Sequence, residues 1–165
     1  MEFANIRMAE ITAKKTMYRE AIAEGIIVLK ESTIERIKSK TLEKGDPIST
    51  AEIAGILAAK QTPQLIPLCH PIPITNIKID IRLESDSIKI QCKVKSIGQT
   101  GVEMEALTGV SVALLTIWDM VKPYEKDEQG QYPETCITNI HVIKKIKESE
   151  EKIESHKQPF KSSPT

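Results

Sequence analysis

The run Ile77-Lys-Ile-Asp-Ile-Arg-Leu-Glu-Ser-Asp-Ser-Ile-Lys-Ile-Gln-Cys-Lys-Val94 decides the fold class of this chain. Apolar side chains fall on every second residue, at Ile77, Ile79, Ile81 and Leu83 and again at Ile88, Ile90, Cys92 and Val94, with Asp80, Arg82, Gln91 and lysines between them. A period of two marks strands with one buried face and one wet face. The link over residues 84–87 is too short for a crossover, so the two strands predict an antiparallel hairpin. Such a sheet needs a cover on its apolar face. The next segment supplies one: Gln99-Thr-Gly-Val-Glu-Met-Glu-Ala-Leu-Thr-Gly-Val-Ser-Val-Ala-Leu-Leu-Thr-Ile-Trp-Asp-Met-Val-Lys122. Leu107, Val110, Leu114, Ile117 and Val121 recur there at helical steps and predict an amphipathic helix. Thr100 and Glu103 have capping-box spacing, which places its start just after Thr100.

Working outward, Ser49 with Glu52 opens Ala51-Glu-Ile-Ala-Gly-Ile-Leu-Ala-Ala-Lys60, a small-residue segment suited to a closely packed helix that ends at Thr62-Pro63. Ser32 with Glu35, followed by Ile34, Ile37 and Leu42, predicts a short helix ending near Gly45. Residues 11–14 read as extended, residues 16–24 as either helix or long strand, and residues 25–29 as strand. Downstream, residues 124–133 are polar and contain Gly130, which predicts a loop, and residues 135–146 alternate as a last strand. The charged and then Lys/Pro/Ser-rich residues 148–165 predict a disordered tail. The expected organisation is one α+β domain over residues 1–147, a sheet with helices packed on one face.

Composition narrows the function classes. A length of 165 residues fits one domain with a real core. Lys plus Arg and Asp plus Glu number 23 each, and this zero net charge argues against a nucleic-acid partner bound by phosphate neutralisation. No apolar run approaches the ~20 residues of a membrane span and no signal-peptide pattern opens the chain, so the expectation is a cytoplasmic protein without a membrane partner. Cys69, Cys92 and Cys136 show no C-x-x-C spacing, which suggests neither a disulfide framework nor a zinc cluster. With no glycine-rich phosphate loop and no H-E-x-x-H, no cofactor and no metal are expected. The abundance of Ile, Lys and Glu suits a thermophile.

Chemistry-bearing residues concentrate in three places. In Leu65-Ile-Pro-Leu-Cys-His-Pro71 the prolines stiffen the backbone around Leu68, Cys69 and His70. His70 reads equally as a crevice filler or as a ligand contact, while Cys69 reads as a small buried hydrophobe rather than a nucleophile. Lys44 lies in the turn Lys44-Gly-Asp-Pro47 and is a solvated loop lysine unless the fold brings it toward His70. Asp119 and Lys122 stand three apart and meet on the last turn of the long helix. They are either a surface ion pair of little energetic consequence or a partly buried pair with tuned pKa values. At the other end of that helix, Glu103 fits the capping acid, whereas Met104 and Glu105 have no such structural duty.

These blocks resemble the cyclic pyranopterin monophosphate synthase family of molybdenum-cofactor biosynthesis. The resemblance runs over residues 9–127 and is dense in Lys44-Gly-Asp-Pro47, residues 51–60, residues 65–71, Thr100-Gly-Val-Glu-Met-Glu-Ala-Leu-Thr108 and Asp119-Met-Val-Lys122. It implies a ferredoxin-like subunit and a homohexamer built as a trimer of dimers, with sites at the subunit interface. It further implies a lyase whose substrate is a cyclo-dihydro-GTP, with purine C8 joined to ribose C3′. The products are cyclic pyranopterin monophosphate and pyrophosphate. Carried over by motif, Asp119 corresponds to the acid/base residue, Lys44 and Lys122 to lysines needed for activity, and Leu68, Cys69, His70, Met104 and Glu105 to substrate contacts. Two segments depart from the family. The loop from Asp127 to Cys136 is longer than common forms. The glycine-containing stretch usual after the last strand is replaced by Lys144-Lys-Ile-Lys-Glu-Ser-Glu-Glu-Lys152, in which Lys145 aligns with a family lysine.

The contrasting readings are a non-catalytic oligomeric purine-nucleotide-binding module and a structural partner of another cofactor-pathway enzyme; turnover of the authentic substrate separates them from the lyase. Met104 and Asp119 are also about 22 Å apart at helical rise. That spacing predicts a site shared between subunits, or a helix bent near Thr108-Gly109.

Overall fold

The computed structural model describes residues 5–149; the tail expected from residue 148 lies outside them beyond Ser149. Four strands, β1 (Met17–Val28), β2 (Ile74–Leu83), β3 (Ser87–Gly98) and β4 (Cys136–Glu148), form one antiparallel sheet in the order β2-β3-β1-β4. Helices α1 (Glu31–Lys38), α2 (Pro47–Lys60) and the single turn α3 (Thr62–Leu65) connect β1 to β2, and α4 (Glu103–Glu125) connects β3 to β4. This is the βαββαβ topology of the ferredoxin-like folds.

The hairpin closes as its alternation requires, with Leu83 opposite Ile88 and Ile79 opposite Cys92. The ambiguous residues 16–24 are strand, continuous with residues 25–29. Ala21, Ala23, Gly25 and Ile27 point into the core, while Ile22, Glu24, Ile26 and Val28 stay half-exposed. The inward side chains are small because α4 lies directly on them. A Cβ at Gly25 would stand 2.7 Å from Leu114 Cδ1 and 2.9 Å from Val110 Cγ1. α4 is also tight against β3 and α2, for a Cβ at Gly109 would meet Cys92 Sγ of β3 at 2.7 Å and the Gly55 carbonyl of α2 at 3.2 Å. The small-residue pattern of α2 is thus a packing requirement.

All three expected capping boxes are absent, each displaced by a different donor or acceptor. α2 begins at Pro47, and Asp46 rather than Ser49 caps it, its Oδ1 accepting the Ile48 N–H at 2.9 Å and the Ser49 N–H at 3.3 Å. Proline at the first helical position, preceded by Asp, is a stronger start signal than the serine inside. Ser32 lies within α1. Before that helix the Lys30 N–H donates to the buried Glu125 carboxylate, which also accepts the Thr135 hydroxyl at 2.6 Å. α4 starts at Glu103 with no side-chain cap, because Glu103 pairs with Lys145 of β4. α4 also runs through Pro123 to Glu125, taking the first residues of the expected 124–133 loop.

Contrary to the expectation that no apolar run approaches a membrane span, α4, with 23 residues, is long and apolar enough by composition to cross a membrane. Half of that stretch is buried inside the protein, and Ala106, Val110, Ala113, Leu114, Ile117 and Val121 are fully enclosed, as in a core helix. Each such Val, Leu or Ile contributes about 1.5–3 kcal/mol on burial.

The α2–α4 contact predicts the effect of one methyl group. Gly109→Ala gains about 1 kcal/mol of helix propensity but overpacks a site closed by a sulfur and a backbone carbonyl, at a cost of about 1–3 kcal/mol. The expected net result is a lower urea midpoint, with partial recovery when Cys92→Ala removes the obstructing sulfur. A midpoint that rises in Gly109→Ala alone would refute this packing account.

Candidate active site

At the C-terminal end of α4 the Asp119 carboxylate is held by two ammoniums. Lys122 Nζ donates to Oδ1 at 2.7 Å, and Lys44 Nζ donates to Oδ2 at 2.9 Å and to the Asp119 carbonyl at 3.0 Å. That carbonyl is free for Lys44 because residue 123, which would supply the helical N–H, is proline. Lys44 itself arrives on the turn between α1 and α2, where Gly45 adopts φ +92°. The cluster is open to water, with the Asp119 side chain 58% exposed and each lysine 42%. The sequence reading looked to partial burial for tuning here. The cause is instead hydrogen bonding, chiefly from Lys122 and then from Lys44, which takes the Asp119 carboxyl down to about 2. The same bond holds the Lys122 ammonium above its ordinary value. Beside the cluster, Tyr132 packs edge-on against Trp118 with ring centroids 5.3 Å apart. It is presented by a tight turn in which Asp127 Oδ1 accepts the Gln129 and Gln131 N–H groups.

The N-terminal end of α4 borders a cavity of about 220 Å³. Leu68, Cys69 and His70 line it from the proline-stiffened segment, Met104 and Glu105 from α4, and Ala9, Ile11 and Lys14 from the segment preceding β1. His70 Nε2 donates to the Ala9 carbonyl at 2.8 Å. The Gln99 amide donates to the carbonyls of Thr12 and Lys14 at 3.2 and 3.1 Å, so the N-terminal segment is tied across the cavity. Glu105 is 2% exposed and its Oε2 has no hydrogen-bond partner. Burial pushes its carboxyl up, and neighbouring Glu103 adds to the effect. Burial acts on Glu103 in the same sense, but the Lys145 ammonium, the Glu103 N–H and the Arg19 charge together outweigh it and the net shift is downward. The Cys69 thiol is raised by burial and by Glu105, which disfavours the thiolate a nucleophile needs.

The site residues named from sequence therefore form two groups. Asp119, Lys44 and Lys122 meet directly; Leu68, Cys69, His70, Met104 and Glu105 share the cavity. α4 is unbroken between the groups, so Gly109 serves packing rather than a bend, and the separation of about 22 Å stands. Lys44 turns to Asp119, not to His70. Sequence reasoning passed over Lys14 and Gln99, which carry no motif, and over Pro123, whose consequence lies in the carbonyl it leaves free. Among the described residues no three His, Cys, Asp or Glu side chains gather as metal ligands would.

Comparison with known proteins shows the family. The model of the MoaC family matches residues 8–148. A protein of Archaeoglobus fulgidus named "Probable cyclic pyranopterin monophosphate synthase" is 56% identical over 151 residues, covering 92% of this chain and 97% of the relative. Proteins of the same name from Sulfolobus acidocaldarius and Pyrococcus furiosus are each 58% identical, over 85% and 87% of this chain and 98% and 92% of their own lengths. The match spans both ends of α4, the Lys44 turn and the cavity, and the chain belongs to the MoaC family.

Proposed function

We propose that this chain is a lyase of molybdenum-cofactor biosynthesis that converts a cyclo-dihydro-GTP into cyclic pyranopterin monophosphate and pyrophosphate. The observation that carries the reading is the Asp119 carboxylate gripped by Lys44 and Lys122, in a chain whose relatives bear this synthase's name over nearly their whole length.

Closing the cyclic phosphate requires a substrate hydroxyl to lose its proton as its oxygen bonds to phosphorus and the bond to the leaving pyrophosphate breaks. Asp119 is ionised and takes that proton; the ammoniums meet the negative charge that gathers on the pyrophosphate. Held by two lysines, Asp119 is a weak base. A substrate phosphate that draws one ammonium away restores its basicity, so proton removal waits for substrate. Lys122, kept protonated, serves as the acid when the purine-derived ring opens and recloses. Glu105, a carboxyl that lines the cavity beside Leu68, Cys69, His70 and Met104, suits an N–H donor of that ring system.

A rigid α4 keeps the two groups apart within one chain, so the complete site forms between subunits of a homohexamer, a trimer of dimers, in the cytoplasm. Exposed Ile53 and Leu57, one turn apart on α2, and Leu115 on α4 are apolar surface of the kind a subunit interface covers.

Asp119→Ala should lower pyrophosphate release from cyclo-dihydro-GTP by about 10²–10⁴-fold with the fold intact by circular dichroism; release at the parental rate would remove Asp119 from the mechanism. Subunit sharing has its own test. Asp119→Ala and His70→Ala chains, each inactive alone, should on mixed reassembly regain roughly a quarter of the parental sites. Mixed oligomers that stay inactive would argue for sites built within one chain.

A further inference from the structure

We infer that Pro123 and Tyr124, in the last turn of α4, position Lys44 for the reaction; the inference rests on the reading of Lys44 and Asp119 given above. Glu43, Lys44 and Gly45 are all exposed, and a lysine on such a turn, with four side-chain rotors, has many conformations to lose. Two contacts restrict it, and both come from this turn of helix. The Glu43 N–H donates to the Tyr124 hydroxyl at 3.0 Å, which fixes the backbone immediately before Lys44. Pro123 has no N–H to give the Asp119 carbonyl, and Lys44 Nζ donates to that oxygen at 3.0 Å while reaching Oδ2 at 2.9 Å. The ammonium therefore straddles backbone and side chain of one residue, and its approach to the carboxylate has a set direction.

Tyr124 is itself firmly mounted. The Arg36 guanidinium lies 5.0 Å from its ring centroid, its carbonyl accepts Lys30 Nζ at 3.3 Å, and the following residue is the buried Glu125 that binds Lys30 and Thr135. The hydroxyl thus refers the Lys44 turn to the core rather than to another mobile surface group. Neither residue need touch substrate; both act through Lys44, as positioning residues.

The test pairs Tyr124→Phe, which keeps the ring over Arg36 and removes one acceptor, with Pro123→Ala, which supplies the missing N–H and strengthens the helix. Each is assayed for pyrophosphate release from cyclo-dihydro-GTP. Each is also followed without substrate by the carboxyl carbon signal of Asp119 from roughly pH 6 to pH 3, a range in which an ordinary Asp begins to protonate. The expected result is a kcat reduced roughly two- to tenfold with KM little changed, the span of one net hydrogen bond. The Asp119 signal should begin to titrate within that range, where the parent stays ionised. Pro123→Ala should lower kcat even as its urea midpoint rises, a combination that mere loss of structure would not give. In a Lys44→Ala background Tyr124→Phe should have no further effect on either readout. An Asp119 signal unchanged in both variants, or an undiminished effect without Lys44, would overturn the inference. A shifted Asp119 titration with unchanged turnover would uphold the positioning and instead remove Lys44 from the chemistry.

Discussion

The structure hangs on how closely α4 lies against its neighbours. At Gly25 of β1, Gly55 of α2 and Gly109 of α4 there is no room for a further carbon, since a Cβ would come within 2.7–3.0 Å of the atoms opposite. Helix and sheet in contact at that range exclude water from the side chains around them, and Ala23, Ile27, Val110, Leu114 and Ile117 are fully buried as a result. Packing of this density resists sliding or tilting, because any displacement opens voids along the whole contact. α4 therefore behaves as a fixed rod, and what its two ends carry is displayed at fixed places. The ion pairs at its exposed end add little to that rigidity; they receive it.

The two carboxylates that matter most sit on this same rod and are driven in opposite directions. Asp119 is wet and clasped by ammoniums, so its carboxyl is held down and it remains charged. Glu105 is dry, with one oxygen unpartnered, so its carboxyl is pushed up toward the neutral form. A pair of acids separated this way by environment can divide labour, one taking protons and the other offering or accepting a hydrogen bond to a bound ring. The linkage follows the same signs. Asp119 contributes stability that is present above the ordinary carboxylate range and lost as pH falls toward 2. Glu105 opposes folding more as rising pH ionises it.

Much of the fold was legible because it rests on periodicity. The alternation in residues 77–94 and the helical spacing from Leu107 to Val121 each survive in the structure, since one buried face per element is what a two-layer α+β protein demands. Residues 16–24 stayed ambiguous because Ala21 and Ala23 give no hydrophobic contrast, although they are buried strand residues whose smallness makes room for α4. The caps were misread for a common reason. Each Ser or Thr with Glu three residues on has the right local spacing, but Asp46, Glu125 and Lys145 made the better partners, and two of these come from distant sequence. The Asp119–Lys122 contact was readable from spacing alone; that Lys44 joins it across 75 residues of chain was not.

Pro123 shows why the end of α4 is built as it is. In a helix interior a proline removes one hydrogen bond and strains the turn, and its usual cost would be about 3 kcal/mol. Here the carbonyl it deprives is satisfied by the Lys44 ammonium instead, so the loss is smaller. The oxygen left open belongs to Asp119, the residue whose carboxylate already faces Lys44. An ammonium with two acceptors on one residue is oriented as well as attracted, whereas a single carboxylate shared with Lys122 would hold it only by charge. Orientation is what an exposed site lacks, because water screens the attraction between charges but leaves a geometric constraint in place. A cluster as open as this one can keep its arrangement only if the backbone supplies part of the geometry, and the proline is how this backbone does so.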